Sequence, residues 1–183
     1  DEAGRLASFD NGFGTTTYEY DLLDRVTRVI DRNGRATVYE YDALGNRSAV
    51  HYPNGNVMTY TYDACQRLKE ERIVNADGEQ LSKYSYGIGK AGERTSVTEV
   101  TGSVETETTY QYDRLNRLTK ETIERGDTRL VNENGNLIRQ SGDRDVTYSY
   151  DGENHLVRAA IQQGNSVTVE SYTYDYAGNR TSK

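Results

Sequence analysis

The sequence predicts an all-β protein made of tandem β-hairpins, and three observations lead to this prediction. A short Tyr-x-Tyr-Asp motif recurs at intervals of roughly 20 to 25 residues, which is typical of a repeat architecture. Turn dipeptides such as Asn33-Gly34 and Asp77-Gly78 separate extended runs, and they are the strongest short-range indication of a hairpin. No segment has a 3.6-residue apolar period long enough to predict a helix.

The repeats are aligned on the Asp of the motif. Tyr84-Ser85-Tyr86-Gly87 is a degraded copy with Gly87 at the Asp position. Asn132 marks a worn copy at the same position, because it divides the interval from Asp113 to Asp151 into two equal steps. Residues 1–183 are therefore predicted to be a single array of about eight to nine repeats, an excerpt of a longer array with no separate catalytic domain. The full copies are Tyr18-Glu19-Tyr20-Asp21, Tyr39-Glu40-Tyr41-Asp42, Tyr60-Thr61-Tyr62-Asp63, Tyr110-Gln111-Tyr112-Asp113, Tyr148-Ser149-Tyr150-Asp151 and Tyr172-Thr173-Tyr174-Asp175.

Strand and turn geometry explain the residue types of each motif. Residues two apart on a strand share a face, so the two Tyr side chains of a motif should point together. The Asp should end the strand by accepting backbone N–H bonds in an Asx-turn. Gly three residues later, as at Gly45 and Gly178, supplies the positive φ that the turn requires. An Arg four or five residues after the Asp can fold back onto that carboxylate or stack on a Tyr ring. These Arg residues are Arg5, Arg25, Arg47, Arg67, Arg117 and Arg180.

A second turn should close each hairpin and fix its strand pairing. Residues 26–30 are predicted to pair with residues 35–41, and residues 48–52 with residues 56–62. The longer unit over residues 94–112 should turn at Gly102-Ser103.

Composition gives two opposing indications about order. Leu, Ile, Val and Phe make up only about 18% of the chain, a level that together with high net charge is typical of disorder. The 16 Tyr residues point the other way, because Tyr is a strong strand former and its ring buries a large apolar area. We expect an ordered sheet with one face covered by rows of Tyr.

Charge and hydropathy exclude several partners. A net charge of −7 without any Lys/Arg cluster argues against a nucleic-acid partner. No apolar run approaches the roughly 20 residues of a membrane-spanning helix, so no membrane insertion is expected. The single cysteine, Cys65, excludes an internal disulfide framework and is expected to be a surface turn residue.

The chain offers no convincing catalytic or metal-binding pattern. His51 and His155 lie in different units without a nucleophile-elbow sequence, and His155 stands where other units have Arg. The adjacent Glu70 and Glu71 would face opposite sides of a strand. Asp31-x-Asn33-Gly34 and Asn132-x-Asn134-Gly135 resemble fragments of calcium loops but lack the bidentate Glu, and hairpin turns explain them. Arg125-Gly126-Asp127 is likewise interpreted as turn composition. No enzyme activity, cofactor or metal is therefore predicted.

The motifs resemble a known family. Tyr-x-Tyr-Asp followed by Gly-Asn-Arg, as in residues 174–182 and 42–48, resembles the YD (Tyr-Asp) repeat of RHS proteins, and the resemblance covers essentially the whole chain. That family includes bacterial Rhs polymorphic toxins, Tc toxin C subunits, wall-associated proteins and teneurins. The resemblance implies β-hairpins wound into a spiral, solenoid-like twisted sheet that forms part of a hollow shell. The Asp-Pro-x-Gly-Leu self-cleavage sequence of the toxin-bearing members is absent, since the only proline is Pro53 in a hairpin turn.

The resemblance implies a structural scaffold segment of an encapsulating shell that sequesters a toxin or another C-terminal cargo. The alternative is a cell-surface adhesion module that binds carbohydrate or protein. The implied partners are flanking YD repeats and an enclosed cargo domain, with a glycan as a further option, and the implied location is secreted or at a bacterial cell surface. Separately, the first and last strands would have unpaired backbone groups, so edge-to-edge self-association is expected. The residues expected to carry the repeat are Tyr18, Tyr20, Asp21, Arg25, Tyr39, Tyr41, Asp42, Gly45, Arg47, Tyr60, Tyr62, Asp63, Arg67, Tyr84, Tyr86, Tyr110, Tyr112, Asp113, Arg117, Tyr148, Tyr150, Asp151, Tyr172, Tyr174, Asp175, Gly178 and Arg180.

Overall fold

Strands and turns account for the whole secondary structure of the computed structural model, which describes residues 1–183. The all-β prediction is therefore confirmed. The chain divides into two compact units, residues 1–85 and residues 86–183. No helix of the protein could span a membrane.

The first unit is a run of hairpins in chain order. Each strand pairs antiparallel with the next, from β1 through β8. The predicted pairings of residues 26–30 and 48–52 are confirmed, because Arg28 lies opposite Val38 and Ala49 opposite Thr59. The strands are β1 (Ser8–Asp10), β2 (Thr15–Tyr20), β3 (Val26–Ile30), β4 (Ala36–Tyr41), β5 (Arg47–His51), β6 (Val57–Tyr62), β7 (Leu68–Val74) and β8 (Gln80–Ile88), which ends just past the unit boundary.

The second unit follows the same rule with longer strands. Strands β9 to β16 pair in chain order, and β17 and β18 form a separate two-stranded sheet. The predicted turn at Gly102-Ser103 is confirmed, since Thr101 lies opposite Val104. The strands are β9 (Arg94–Thr101), β10 (Val104–Tyr112), β11 (Leu118–Arg125), β12 (Thr128–Glu133), β13 (Asn136–Ser141), β14 (Asp145–Tyr150), β15 (Leu156–Gln163), β16 (Ser166–Ser171), β17 (Thr173–Tyr174) and β18 (Arg180–Ser182).

Within each unit, alternate turns lie at the two ends of the strands. We call the end that carries the motif Asp residues the YD end and the other the far end. At the YD end, Asp21 shows the common turn: its N–H donates to the Arg25 carbonyl at 3.0 Å, and its Oδ1 accepts the N–H groups of Leu23 and Arg25 at 2.9 and 3.0 Å. The third residue after the Asp is left-handed, with φ of 60° at Asp24 and 89° at Gly45. Asp residues tolerate this conformation, so Gly is not obligatory there.

A β-bulge distinguishes the two Tyr residues of each motif. The register shifts by one residue before the second Tyr, for example between Glu40 and Tyr41 and between Thr61 and Tyr62. A bulge turns the local chain and re-aims the side chain that follows it. The hydroxyl of the second Tyr reaches the strand before its own, as where Tyr41 on β4 donates to the Val26 carbonyl on β3. The same shift precedes Tyr20, Tyr112, Tyr150 and Tyr174.

Aliphatic burial is sparse in both units. Ala49 and Val50 are the buried apolar residues of the first unit, and Val131, Val146 and Ala159 those of the second. No large side chain is completely buried. Most motif Tyr residues are half-buried, so their rings supply much of the apolar cover that a conventional core would provide.

Two positions of the predicted repeat register are corrected by the structure. In the degraded copy the turn begins at Gly89, not Gly87, because Gly89 N–H donates to the Glu93 carbonyl and Gly92 N–H to the Gly89 carbonyl. The Glu93 carboxylate occupies the space that an Asp side chain at position 89 would fill. Residue 87 instead lies inside β8.

The worn copy is a real hairpin, but Asn132 is not its first turn residue. Asn132 lies in β12, paired with Leu137 after a bulge at Val131. The chain reverses at Asn134 and Gly135, whose φ values of 51° and 86° are those of a two-residue hairpin turn. This copy has a two-residue turn and lacks both the turn Asp and the Tyr pair.

Candidate functional site

A recurring contact at the YD end links a motif to the turn of the motif before it, and we call it the YD latch. It consists of the turn Asp, the fourth residue after it, and the second Tyr of the following motif. In the Asp21 latch, Arg25 Nε lies 2.7 Å from Asp21 Oδ2, and the Arg25 guanidinium lies 4.4 Å from the centroid of the Tyr41 ring. The Tyr41 hydroxyl donates to the Val26 carbonyl at 2.8 Å. The latch therefore combines an ion pair, a cation–π contact and a hydrogen bond to backbone.

The hydroxyl bond recurs in both units. The second Tyr of each full motif donates at 2.8 to 2.9 Å to a carbonyl just beyond the preceding turn at the YD end. A half-buried hydroxyl thus has a defined partner, which favours one orientation of the ring. The pairs are Tyr20 with Leu6, Tyr41 with Val26, Tyr62 with Arg47, Tyr112 with Arg94, Tyr150 with Leu137 and Tyr174 with Leu156.

The fourth residue after the Asp varies, and its chemistry sets the rest of the latch. Arg67 and Arg117 repeat the bond to the carboxylate at 2.7 Å, to Asp63 and Asp113 respectively. Asn46 replaces the cation with an amide that donates to Asp42 at 3.0 Å.

His155 is the most divergent residue at the fourth position of the latch. Its Nδ1 lies 3.2 Å from Asp151 Oδ2, and its ring is stacked on Tyr174 with centroids 4.7 Å apart. The sequence had placed His155 where other units have Arg, and the geometry agrees.

Arg residues five positions after the Asp make a different contact. Arg47 lies over Tyr39, the first Tyr of its own motif, at 5.2 Å, and Arg180 lies over Tyr172 in the same way at 5.5 Å. Arg94 lies over Tyr86 at 4.6 Å, which places Gly89 at the Asp position of that copy. The sequence pattern alone does not distinguish an Arg four residues after the Asp from an Arg five residues after it. In the structure Arg25 contacts a Tyr of the next motif, whereas Arg47 and Arg180 contact a Tyr of their own motif.

Hydrogen bonding at the turns lowers the pKa of the motif carboxylates. The Arg25 N–H holds the pKa of Asp21 below its ordinary value, and the Arg117 N–H does the same for Asp113. For Asp42 the largest cause of the lowered pKa is the side-chain amide of Asn46. The same direction applies to Asp31, Asp63, Asp151 and Asp175. Burial raises the pKa of Tyr62, Tyr110 and Tyr150.

The remaining predicted repeat residues lie on the motif strands or in their turns. The first Tyr of the motifs is half-buried at Tyr18, Tyr110 and Tyr148, and the Tyr60 hydroxyl contacts Met58 Sδ at 3.1 Å. Tyr84 is half-buried on β8. Gly178, with a φ of 79°, occupies the left-handed turn position. Their predicted role as register-setting residues stays a prediction.

The remaining polar groups make local pairs. His51 Nε2 lies 2.8 Å from Glu40 Oε1 on the neighbouring strand. Cys65 is exposed in the Asp63 turn, where its N–H donates to Asp63. Nowhere do three or more His, Cys, Asp or Glu side chains converge in a way that could hold a metal ion.

Successive antiparallel hairpins joined by repeated YD latches define a tandem β-hairpin repeat protein. The RHS Repeat family matches residues 1–36, 20–57, 41–80 and 90–128, well over half of the chain. The chain belongs to this family.

The chain is also similar to several solved structures, all at low sequence identity. The chain is 13% identical to a chain of the Photorhabdus luminescens Tc holotoxin pore, with a TM-score of 0.36, covering 91% of this chain and 13% of that one. A TcdB2–TccC3 structure is 13% identical with a TM-score of 0.40, and the match covers 91% of this chain and 11% of that one. A porin-like protein from Bacteroides uniformis is 13% identical with a TM-score of 0.48, and the match covers 93% of this chain and 85% of that one. This chain thus spans only a small part of the Tc toxin chains, and no curated protein matches it.

Proposed function

We propose that residues 1–183 form a stretch of the wall of an RHS shell that encloses a C-terminal cargo domain. The observation that carries this proposal is the YD latch, which recurs in both units. A scaffold needs contacts that repeat with the chain, and the latch supplies such a contact several times along it. Its function is steric: the wall separates an enclosed polypeptide from solvent and proteases.

The latch explains how such a wall could be continuous. Tyr41 belongs to one Tyr-x-Tyr-Asp motif, whereas Arg25 and Val26 follow the turn of the preceding motif, so the contact links two successive motifs. In repeat proteins, stability is the sum of the repeats and of the interfaces between neighbours. The latch is such an interface.

Flanking repeats are the first partners that we propose. Within the first unit, β1 pairs only with β2, and its Phe9 is exposed. Within the second unit, β16 pairs only with β15, and Val167 and Val169 are exposed on it. Unpaired strand edges template further pairing, so added repeats at these edges would extend the sheet, and a second copy could do so by edge-to-edge association. A secreted or cell-surface location goes with this role.

Electron cryo-microscopy of the protein expressed from the complete gene would test the proposal. We expect residues 1–183 in the wall of a closed hollow body, with density for further polypeptide inside it. An open arm with no enclosed space would overturn the proposal. A gene that continues into a wall anchor or a lectin-like domain would favour adhesion instead, whereas a further array followed by a variable C-terminal domain would favour encapsulation.

A further inference from the structure

The turn that begins at Asp113 is a YD latch without its tyrosine. Asp113 accepts the Arg117 N–H at 2.9 Å through Oδ1 and the Arg117 Nε–H at 2.7 Å through Oδ2, as in the complete latches. The Arg117 side chain is nevertheless 73% exposed, because no Tyr of a following motif lies over it. The carboxylate and the cation are therefore in place, and only the ring is missing.

The backbone shows where that ring would stand. In the latch of Tyr174, the first Tyr of the motif, Tyr172, donates its N–H to the carbonyl of Val157, six residues after the turn Asp, at 2.9 Å. Asn134 donates its N–H in the same way to Thr119, six residues after the Asp113 turn begins, at 3.0 Å. Asn134 therefore holds the place of a first Tyr, and the second Tyr would come two residues later.

The chain reverses before it reaches that place and leaves a space. Asn134-Gly135 is a two-residue turn, so Asn136 already lies in β13, opposite Glu133. The Asn136 amide donates to Asn154 in the next turn at the YD end, at 2.9 Å. An open space of about 150 Å³ remains, lined in part by Leu118, Asn134 and Gly135. In another protein an engineered cavity of about 150 Å³ binds benzene, so the space is of the size of one aromatic ring.

Leu118 supplies the remaining part of the latch. It lies five residues after Asp113, the position from which Leu156 accepts the Tyr174 hydroxyl at 2.9 Å in the latch of Asp151. The Leu118 side chain is 50% exposed, which is unusual for an aliphatic residue on a paired strand. A phenol at this place would cover apolar surface, contact a cation and find a hydroxyl acceptor together.

The charged side chains in the wall of the space are already paired. Lys120 Nζ lies 2.9 Å from Glu133 Oε1, and Asn132 Nδ2 donates to Glu121 Oε2 at 2.8 Å. A charged ligand would have to displace these pairs. A neutral ring would not, since the latch contacts need only the exposed guanidinium and a backbone carbonyl.

We propose that the Asp113 turn is an open latch that binds a tyrosine side chain of a second polypeptide. In the bound state the ring lies over the Arg117 guanidinium and its hydroxyl donates to the Leu118 carbonyl, as in the Tyr41 latch. Tyrosine is the occupant because tyrosine fills this place in the complete latches of the same chain. Strand β11 already pairs with β12, so the partner supplies a side chain and not a further strand. The inference rests on the latch geometry and does not depend on the shell role.

An NMR titration of the complete 183-residue chain with N-acetyl-tyrosinamide tests the open latch. We expect saturable, millimolar shifts of the Arg117 Nε–H and of the Leu118 and Gly135 amides, because a ring comes to lie beside them. The Arg25 Nε–H is the internal control and should not shift, since Tyr41 already lies over that cation. Equal shifts at Arg25 and Arg117, or none at Arg117, would overturn the proposal.

A flexible Gly/Ser peptide with one central tyrosine tests whether the occupant can belong to a polypeptide. It should shift the same signals and bind at least as tightly as the amide. The same peptide with phenylalanine should bind about threefold more weakly, because the hydroxyl bond is lost. Binding of the amide without binding of the tyrosine peptide would overturn the assignment and leave a site for small phenols only.

Two substitutions test the site from opposite directions. Arg117→Gln should weaken binding of the tyrosine peptide by about threefold, because the cation–π contact is lost. Tyr41→Ala empties the latch of Arg25 and should create a second site, seen as a new shift of the Arg25 Nε–H on titration. If Tyr41→Ala fails to fold, Arg117→Gln still decides, since its exposed side chain lies in a turn. Unchanged affinity in Arg117→Gln would overturn the open latch.

Discussion

Two turns with the same carboxylate–guanidinium bond differ in what covers the cation. In the first unit, Arg25 bonds Asp21 at 2.7 Å and its side chain is 27% exposed. In the second, Arg117 bonds Asp113 at the same distance, yet its side chain is 73% exposed. Tyr41 lies over Arg25, whereas the hairpin that follows Arg117 turns at Asn134-Gly135 and brings no Tyr pair. The Asp therefore builds the turn, and the Tyr of the next motif buries the cation.

The motif therefore has two separate roles: its Asp builds a turn, and its second Tyr covers the cation of the preceding turn. The Asp bonds are local and would form in an isolated turn, because donor and acceptor lie within four residues. The Tyr bonds are made between motifs and depend on the neighbour. The Asp113 turn keeps the first function and lacks the second, because no Tyr of a following motif lies over Arg117. Four predictions follow this division.

Acid should have the largest effect, because it protonates the carboxylates that build most of the turns at the YD end. The motif carboxylates have folded-state pKa values below their ordinary value. A depressed folded pKa contributes stability that is present above the unfolded value of about 3.9 and is lost as pH falls through the folded pKa. Urea midpoints measured from pH 6 to pH 2 should therefore drop steeply below about pH 4. A flat profile would contradict the turn bonds, and carboxyl-carbon titrations should show Asp21 and Asp113 shifted in the same direction.

Tyr41→Ala should have the next largest effect, since it removes the ring that distinguishes the Arg25 turn. We expect a loss of about 2 to 3 kcal/mol in the free energy of unfolding, because a half-buried ring, its cation contact and its bond to Val26 all disappear. Tyr41→Phe should lose about 1 kcal/mol, the hydroxyl bond alone. Tyr176→Ala should change stability by no more than about 0.5 kcal/mol, as its ring is fully exposed. Equal losses in the Tyr41 and Tyr176 variants would show that the ring carries no interface energy.

Arg25→Ala and Arg117→Ala make the same change at the two turns. Both variants lose the bond to an Asp, but only Arg25 also loses a ring contact. Arg25→Ala should therefore be the more destabilising by about 1 kcal/mol. A double-mutant cycle between Arg25 and Tyr41 should give a coupling of about 0.5 to 1 kcal/mol, and one between Arg117 and Tyr41 should give none. Coupling of equal size in both cycles would refute the latch.

The turns and strand pairings could be predicted from the sequence, whereas most contacts between motifs could not. Asp, Gly and Asn-Gly patterns predicted the turns and strand pairings, because those bonds join residues close in the chain. The bulge before Tyr41 was missed, since strand alternation alone assigns both Tyr residues of a motif to one face. The spacing of Arg94 from Gly89, compared with Arg47 from Asp42, could have corrected the register of the degraded copy.

The open space at the far end of the first unit, lined by Arg35, Tyr52 and Ile73, could not be predicted from the sequence for a similar reason. The substitution of Tyr for the turn Asp was visible in Tyr52-Pro53-Asn54-Gly55, but the walls come from separate hairpins. Only the spatial order of the turns shows that Ile73 and Arg35 line one space.

His155→Arg should have the smallest effect and would sharpen the comparison by restoring the common latch. His155 already bonds Asp151 at 3.2 Å and stacks on Tyr174, so the gain comes only from a permanent charge and a forked set of donors. We expect about 0.5 kcal/mol of added stability at pH 8. Asn46→Arg is the parallel change in the first unit, where Asp42 and Tyr62 supply the carboxylate and the next Tyr. A gain in both variants would establish that carboxylate, cation and ring act together wherever a Tyr follows. A gain in neither would mean that the amide and the imidazole already satisfy the latch, and that the ring contact depends on shape rather than on charge.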